Sequence, residues 1–265
     1  MADSRNVTGQ STVTSDHTPD PISSRSRPSP PRLILILLGV AVLLAGAFAY
    51  VAVRHHDEQT PLADIRQSGL PSQVSTSASN MMGLSPIPHV AAPNFDLIDQ
   101  KGHALSMSDF RGRTVVLEFM DTHCVDICPL VSQEFVDANR DLGAAASGVV
   151  FVAINVNPYH ATTADVAAFS AAHQLNSIPS WHFLTGPVAE LQAVWHVYGV
   201  AVEAPSPNAD IIHNSFVYFI DSTGHERYLA DPTDEHTAGG AAYLPAAQLA
   251  SWGHGIALVA RSLRP

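Results

Sequence analysis

Long apolar runs divide this chain more clearly than any other feature. The first, LILILLGVAVLLAGAFAYVAV from Leu33 to Val53, holds 21 residues without a charge. At about 1.5 Å per residue, a helix of that length crosses the roughly 30 Å hydrocarbon core of a bilayer. The segment reads as a retained membrane anchor. A cleaved leader fits less well, because 32 polar residues precede the run and the run is long for a leader core. Ala45, Ala47 and Ala49 are the small residues that a cleavage site would use.

After the anchor the periods change. TVVLEFM (Thr114 to Met120) and VVFVAINV (Val149 to Val156) are short, β-branched and nearly all apolar, as strands buried on both faces are. Phe95–Asp99 and Trp181–Leu184 read as shorter strands. From Ile127, residues Leu130, Val131, Phe135 and Leu142 fall on one helical face. Thr162 and Asp165 form a capping-box start for a helix reaching about His173. Pro187 opens another that Gly199 ends. Ser215–Ile220 and Glu226–Leu229 flank an Asp221–Gly224 turn and predict a hairpin. Leu249, Trp252, Ile256, Val259 and Leu263 mark a final amphipathic helix. The order β-α-β-α-β-α-β-β-α predicts an α/β domain, thioredoxin-like, with a mixed central sheet and helices on both faces. The organisation expected is a disordered cytoplasmic tail (1–32), a transmembrane anchor (33–53), a flexible tether (54–89) and the folded domain (90–265).

Charge narrows the partners. The 265 residues carry a net charge of −11. All of it belongs to residues 90–265, where 18 acids face seven bases. Such a domain is a poor match for nucleic acid and suits a cationic ligand or a basic protein surface. Twelve Arg to one Lys, with abundant Ala, hints at a bacterial source. Arg25, Arg27 and Arg32 before the apolar run, against Arg54 and Arg66 after it, place the N-terminus inside and the domain outside the cytoplasmic membrane.

The chemistry concentrates where TVVLEFM runs into Asp121-Thr122-His123-Cys124-Val125-Asp126-Ile127-Cys128-Pro129. Cys124 and Cys128 are the chain's two cysteines, too few for a disulfide framework and the right number for one redox or metal site. They sit at a strand-to-helix junction, where ligands of open α/β sheets gather and free helix N–H groups favour thiolate. The spacing C-x-x-x-C is one residue wider than the usual redox dithiol and allows both sulfurs to chelate one soft ion. Thiolates prefer Cu(I), and one imidazole would complete a three-coordinate site that also tolerates Cu(II). A plain structural disulfide explains the placement poorly, since so short a loop gains little closure entropy. Of the 14 histidines, His213 stands out, just before SFVYFI with one residue between and so facing the start of the first helix. His123 is the alternative ligand, and His160 lies on a loop at the same sheet edge. Asp126 reads as the helix N-cap rather than a ligand. Trp195, Tyr198 and Trp252 read as core aromatics.

These residues resemble the SCO/SenC family of copper-binding, thioredoxin-fold proteins of cytochrome c oxidase assembly. The likeness rests on Thr122-x-Cys124-x-Asp126-x-Cys128-Pro129, Phe183-Leu184-Thr185-Gly186, Tyr198-Gly199-Val200, His213 and Asp221-Ser222-Thr223-Gly224. It implies one copper ion, Cu(I) or Cu(II), on Cys124, Cys128 and His213. It also implies delivery to the binuclear copper centre of oxidase subunit II, or to another copper-accepting protein, or reduction of that centre's cysteines. His213 would take the place of the thioredoxin cis-proline. The sequence departs from the family at Val125, where Pro is usual, at Ile212, where Asp is usual, and at Asn157-Pro158-Tyr159-His160, which lacks the usual Asp and Arg. The competing reading is a thiol–disulfide oxidoreductase, with Cys124 and Cys128 redox-active and no metal in the cycle. A peroxidase lacks its T-x-x-C spacing and a suitable Arg, and a purely structural domain leaves the cysteines idle. Ala201–Asp210 and Gly239–Gly240 are candidate partner-facing segments.

Overall fold

The computed structural model describes residues 69–265 together with Leu44 and Ala45. The expected tail, the remainder of the Leu33–Val53 anchor and the first part of the tether lie outside the described residues. Among the described residues no helix is long and apolar enough to cross a membrane. Contacts divide the chain into Met1–Glu58 and Gln59–Pro265, and the second unit holds the sheet, its helices and the site.

The sheet has six strands in the order β1 (Ser85–Pro86), β10 (Glu226–Ala230), β9 (Val217–Ile220), β4 (Thr114–Met120), β5 (Val149–Asn155) and β6 (Trp181–Leu184). The strands β4, β5 and β6 are parallel, with Thr114 opposite Val149 and Met120 opposite Asn155. The hairpin strands β9 and β10 and the short β1 complete the sheet antiparallel. This is the mixed, thioredoxin-like arrangement that the element order implied.

Each of the seven residues in β4 and in β5 is buried. Alternation divides them between two cores. Val116, Met120, Phe151 and Ala153 meet α2 (Ile127–Leu142), α3 (Thr163–Ala172) and α5 (Ala246–Ser262). Val115, Leu117, Phe119, Val150 and Val152 meet Leu191, Val194 and Trp195 of α4 (Val188–Val197). The expected core aromatics Trp195, Tyr198 and Trp252 are all buried. Helix α5 lies close on α2 through Gly253, where a Cβ would stand 2.6 Å from that of Asp137.

Local signals match the elements they predicted. Thr162 accepts from the Asp165 amide (3.2 Å), and the Asp165 carboxylate accepts from the Thr162 amide (3.0 Å). Helix α4 stops at Gly199, whose φ of +70° suits glycine, and the Val200 amide closes back on the Trp195 carbonyl at 2.8 Å.

Three features depart from the expectation. The folded domain begins before Val90. Residues 69–89, expected as tether, contain α1 (Thr76–Met81) and β1, and they bury Val74, Met82 and Leu84 in the α2/α5 core. Sparse apolar residues without a period concealed this docking. Two ribbons also appear where loops were expected: β7 (Val202–Glu203) with β8 (Ile212–His213), and β11 (Glu235–His236) with β12 (Ala242–Tyr243). Between β2 (Asp96–Ile98) and β4 a third short strand, β3 (Ala104–Ser106), pairs with β2.

Candidate metal and thiol site

The chain leaves β4 at Met120 and turns through Asp121–Asp126 into α2. Asp121, buried, fixes this loop: its Oδ1 accepts from the His123 amide at 2.8 Å and from Asn157 Nδ2 at 2.7 Å. Asn157 in turn follows β5, so the loops after both central strands are clamped together. The sequence does not reveal that these two residues pair, because they lie 36 positions apart.

Cys124 sits half-buried on the loop and Cys128 is buried in the first turn of α2. The sulfurs are not joined. The Cys128 amide donates to Cys124 Sγ at 3.5 Å, so a sulfur occupies the place a capping oxygen usually takes over a helix start. The hydrogen bond from the Cys128 thiol, with further help from backbone amides, holds the Cys124 thiol below its ordinary range, although burial opposes this. The same hydrogen bond, reinforced by burial, pushes the Cys128 thiol well up. One thiolate is favoured, on the accessible sulfur.

Asp126 does not cap α2, contrary to expectation. Its Oδ1 instead meets His236 Nε2 of β11 at 3.0 Å. A partner distant in sequence outcompetes the local amides.

His213, on β8, borders the same cleft as Cys124. This cleft has a volume of about 790 Å³. Its walls are the cysteine loop, residues Asp210–His213 and the Gly239–Ala241 turn, so both candidate partner-facing segments reach it. His213 Nδ1 lies 3.2 Å from the Asn214 carbonyl oxygen. A carbonyl can only accept, so Nδ1 carries the proton and the lone pair belongs to Nε2. Burial lowers the His213 pKa, which favours the neutral, ligating imidazole. Two sulfurs and one free imidazole lone pair are a donor set that fits copper. The three ligand atoms do not gather within 4.8 Å of one another; among the described residues only two other groups do so.

His123 also borders the cleft, and its ring stacks on His160 with centroids 3.6 Å apart. His123, without His160, also borders a second, smaller hollow of about 380 Å³, lined by Cys124, Asp165 and His173 among others. His160 does not line the main cleft.

Comparison with known proteins follows the same residues. A family model described as SCO1/SenC matches residues 87–242. The SCO1 protein homolog of Bacillus subtilis is 26% identical over 132 residues, covering 49% of this chain and 68% of the relative. The human protein described as SCO2 homolog, mitochondrial, is 31% identical over 141 residues, covering 51% of this chain and 52% of the relative. The chain thus spans about half the length of such mammalian relatives. Among solved structures, Bradyrhizobium japonicum ScoI with copper bound is 27% identical, with a TM-score of 0.47, covering 52% of this chain and 86% of that one. With the family model matching more than half its length, the chain belongs to the SCO1/SenC family.

Proposed function

We propose that this chain is a membrane-anchored copper carrier of the extracytoplasmic side, holding one copper ion on Cys124, Cys128 and His213. Its recipient would be a copper-accepting protein, with cytochrome c oxidase subunit II as the acceptor that family membership suggests. One juxtaposition carries the reading: a favoured thiolate on Cys124 and a neutral His213 imidazole with Nε2 free, on the walls of one open cleft, with the buried Cys128 thiol hydrogen-bonded to Cys124 behind it. Sulfur suits Cu(I), and the imidazole extends the site to Cu(II). Binding would require β8 to close on the cysteine loop, and release would reverse that movement. Val125 and Ile212, 87% and 64% exposed, give the cleft an apolar rim on which a protein acceptor could seat. The Leu33–Val53 run would tether the domain to the cytoplasmic membrane of a bacterium, N-terminus inside.

Metal analysis and thiol titration of the full chain test this. One Cu(I) per chain is expected under reducing conditions, lost in Cys124→Ser and Cys128→Ser, and the sulfur-to-Cu(II) charge-transfer absorption of the oxidised form should be lost in His213→Ala. Cu(I) retained at full stoichiometry in Cys124→Ser would overturn the proposal.

The asymmetry of the thiols favours a second reading, a thiol–disulfide reductase acting on the acceptor's cysteines. There Cys124 attacks a disulfide, and Cys128 then displaces the reduced product as it closes the Cys124–Cys128 disulfide. His213→Ala would leave this exchange intact, which separates the two.

A further inference from the structure

Among the described residues, two groups of three bring His and carboxylate ligand atoms within 4.8 Å of one another: His89–Asp221–His225 and Asp126–Asp234–His236. They differ in how far their charges are already answered. Asp221 Oδ1 accepts from the Thr223 amide (3.0 Å), the Thr223 hydroxyl (2.6 Å) and the His225 amide (3.1 Å). Its Oδ2 faces the Arg227 guanidinium at 3.3 Å as well as His89 at 3.3 Å. That carboxylate is saturated and already holds a cation.

The other group is not saturated. Asp126 and Asp234 have no Lys or Arg partner among the described residues, and both face a single imidazole nitrogen. His236 Nε2 lies 3.0 Å from Asp126 Oδ1 and 3.5 Å from Asp234 Oδ2. Asp234 Oδ2 is shut away from water without a hydrogen-bond donor. Asp126 occupies the N-cap position of α2, but its side chain makes no capping bond there and meets His236, 110 residues away. Two carboxyl groups and one imidazole nitrogen thus converge with no Lys or Arg beside them among the described residues.

We propose that Asp126, Asp234 and His236 form a second metal site, taking a divalent cation of the Cu(II) or Zn(II) class. Ligand atoms about 2.0–2.2 Å from a tetrahedral ion stand roughly 3.3–3.5 Å apart, and the observed nitrogen–oxygen separations are close to that before any ion enters. One imidazole with two carboxylates is harder than a dithiolate, so the site selects divalent ions and leaves Cu(I) to sulfur. Asp126 lies between the cysteines and borders the main cleft, while Gly239 and Gly240 of the β11–β12 ribbon form another wall of it. A cation here stands at the mouth of the dithiol cleft and pins the ribbon to the cysteine loop. The site does not depend on what the thiols bind.

The test therefore removes the thiols. The full-length Cys124→Ser/Cys128→Ser double variant is titrated with Zn(II) by calorimetry. One equivalent is expected, with affinity falling at least tenfold on adding His236→Ala or Asp234→Asn and unchanged on adding His89→Ala. With one equivalent of Cu(II), electron paramagnetic resonance should show nitrogen coupling that His236→Ala removes. His236→Gln, checked by circular dichroism, guards against misfolding. Absence of stoichiometric Zn(II) binding in the double variant, or His236 variants that bind as their parent does, overturns the proposal. Either result leaves the dithiol reading standing, because that is judged on the wild-type cysteines.

Discussion

The sulfurs and the imidazoles of this protein stand on different kinds of structure. Cys124 and Cys128 follow β4, buried along its whole length, and enter α2, which packs on α5 through Phe135, Trp252 and Ile256. His213, partly buried, and His236, exposed, belong to β8 and β11, two-residue strands in two-stranded ribbons apart from the central sheet. Local opening is cheapest where few apolar contacts are lost. The framework thus holds the thiols ready, and the ribbons can bring imidazoles in or take them away at small free-energy cost. The copper carrier proposed above would need that division to release its cargo.

The framework side of the contrast breaks hardest. Phe135 is fully buried in α2, its ring 5.3 Å from that of Phe151 and 6.3 Å from that of Trp181. Phe135→Ala should destabilise by about 3–5 kcal/mol, measured by urea unfolding, because it removes apolar contact and leaves a cavity. A loss under about 1 kcal/mol would mean that the framework repacks freely and does not preorganise the sulfurs.

A second variant sharpens the same contrast through charge. Glu118 lies in β4, on the face shared with Val116 and Met120 toward α2, and is 1% exposed. One of its carboxyl oxygens is without a partner. Burial, then the nearby Glu134 and Asp231 carboxylates, push its pKa well up. Glu134, buried in α2, is pushed up likewise, by burial and then by Asp137. In the fold Glu118 keeps its proton above the pH at which the unfolded chain loses it, near 4.3. The folded state therefore binds more protons across that window, and stability falls as pH rises through it. Glu118→Leu should raise stability by about 1–3 kcal/mol at pH 7, with the advantage shrinking toward pH 4. An advantage equal at both pH values would show that ionisation is not the cost.

The same division explains what the sequence disclosed. TVVLEFM and WHFL are strands with the bounds expected, because strands covered on both faces are continuous apolar runs. The Thr162–Asp165 box and Gly199 mark their helix ends, because capping is local chemistry. The ribbons have no such trace: two residues make no period, and β8 and β12 are recognisable only by their partners. Ligand chemistry and order along the chain single out Cys124, Cys128 and His213 as candidates, and the fold sets Cys124 and His213 on one cleft. The Asp121–Asn157 clamp and the Asp126–His236 contact are not legible in the sequence, since each joins loops from distant elements. Asp126 shows the general difficulty. Its place before α2 makes capping the local expectation, and only the fold reveals the competing imidazole.

The smallest expected effect lies on the ribbon itself. Tyr243 of β12 stands opposite Glu235 of β11, and its hydroxyl donates to Glu235 Oε2 at 2.8 Å in an exposed pair. Tyr243→Phe removes that bond where water can replace it, so global stability should change by no more than about 0.5 kcal/mol. Hydrogen exchange reads the ribbon separately. The Thr237 amide, bonded to the Ala241 carbonyl at 2.9 Å, should lose protection several-fold, while amides of β4 keep theirs. If protection in β4 falls in step with that of Thr237, ribbon and framework open as one unit, and the imidazoles are then no freer to leave than the sulfurs.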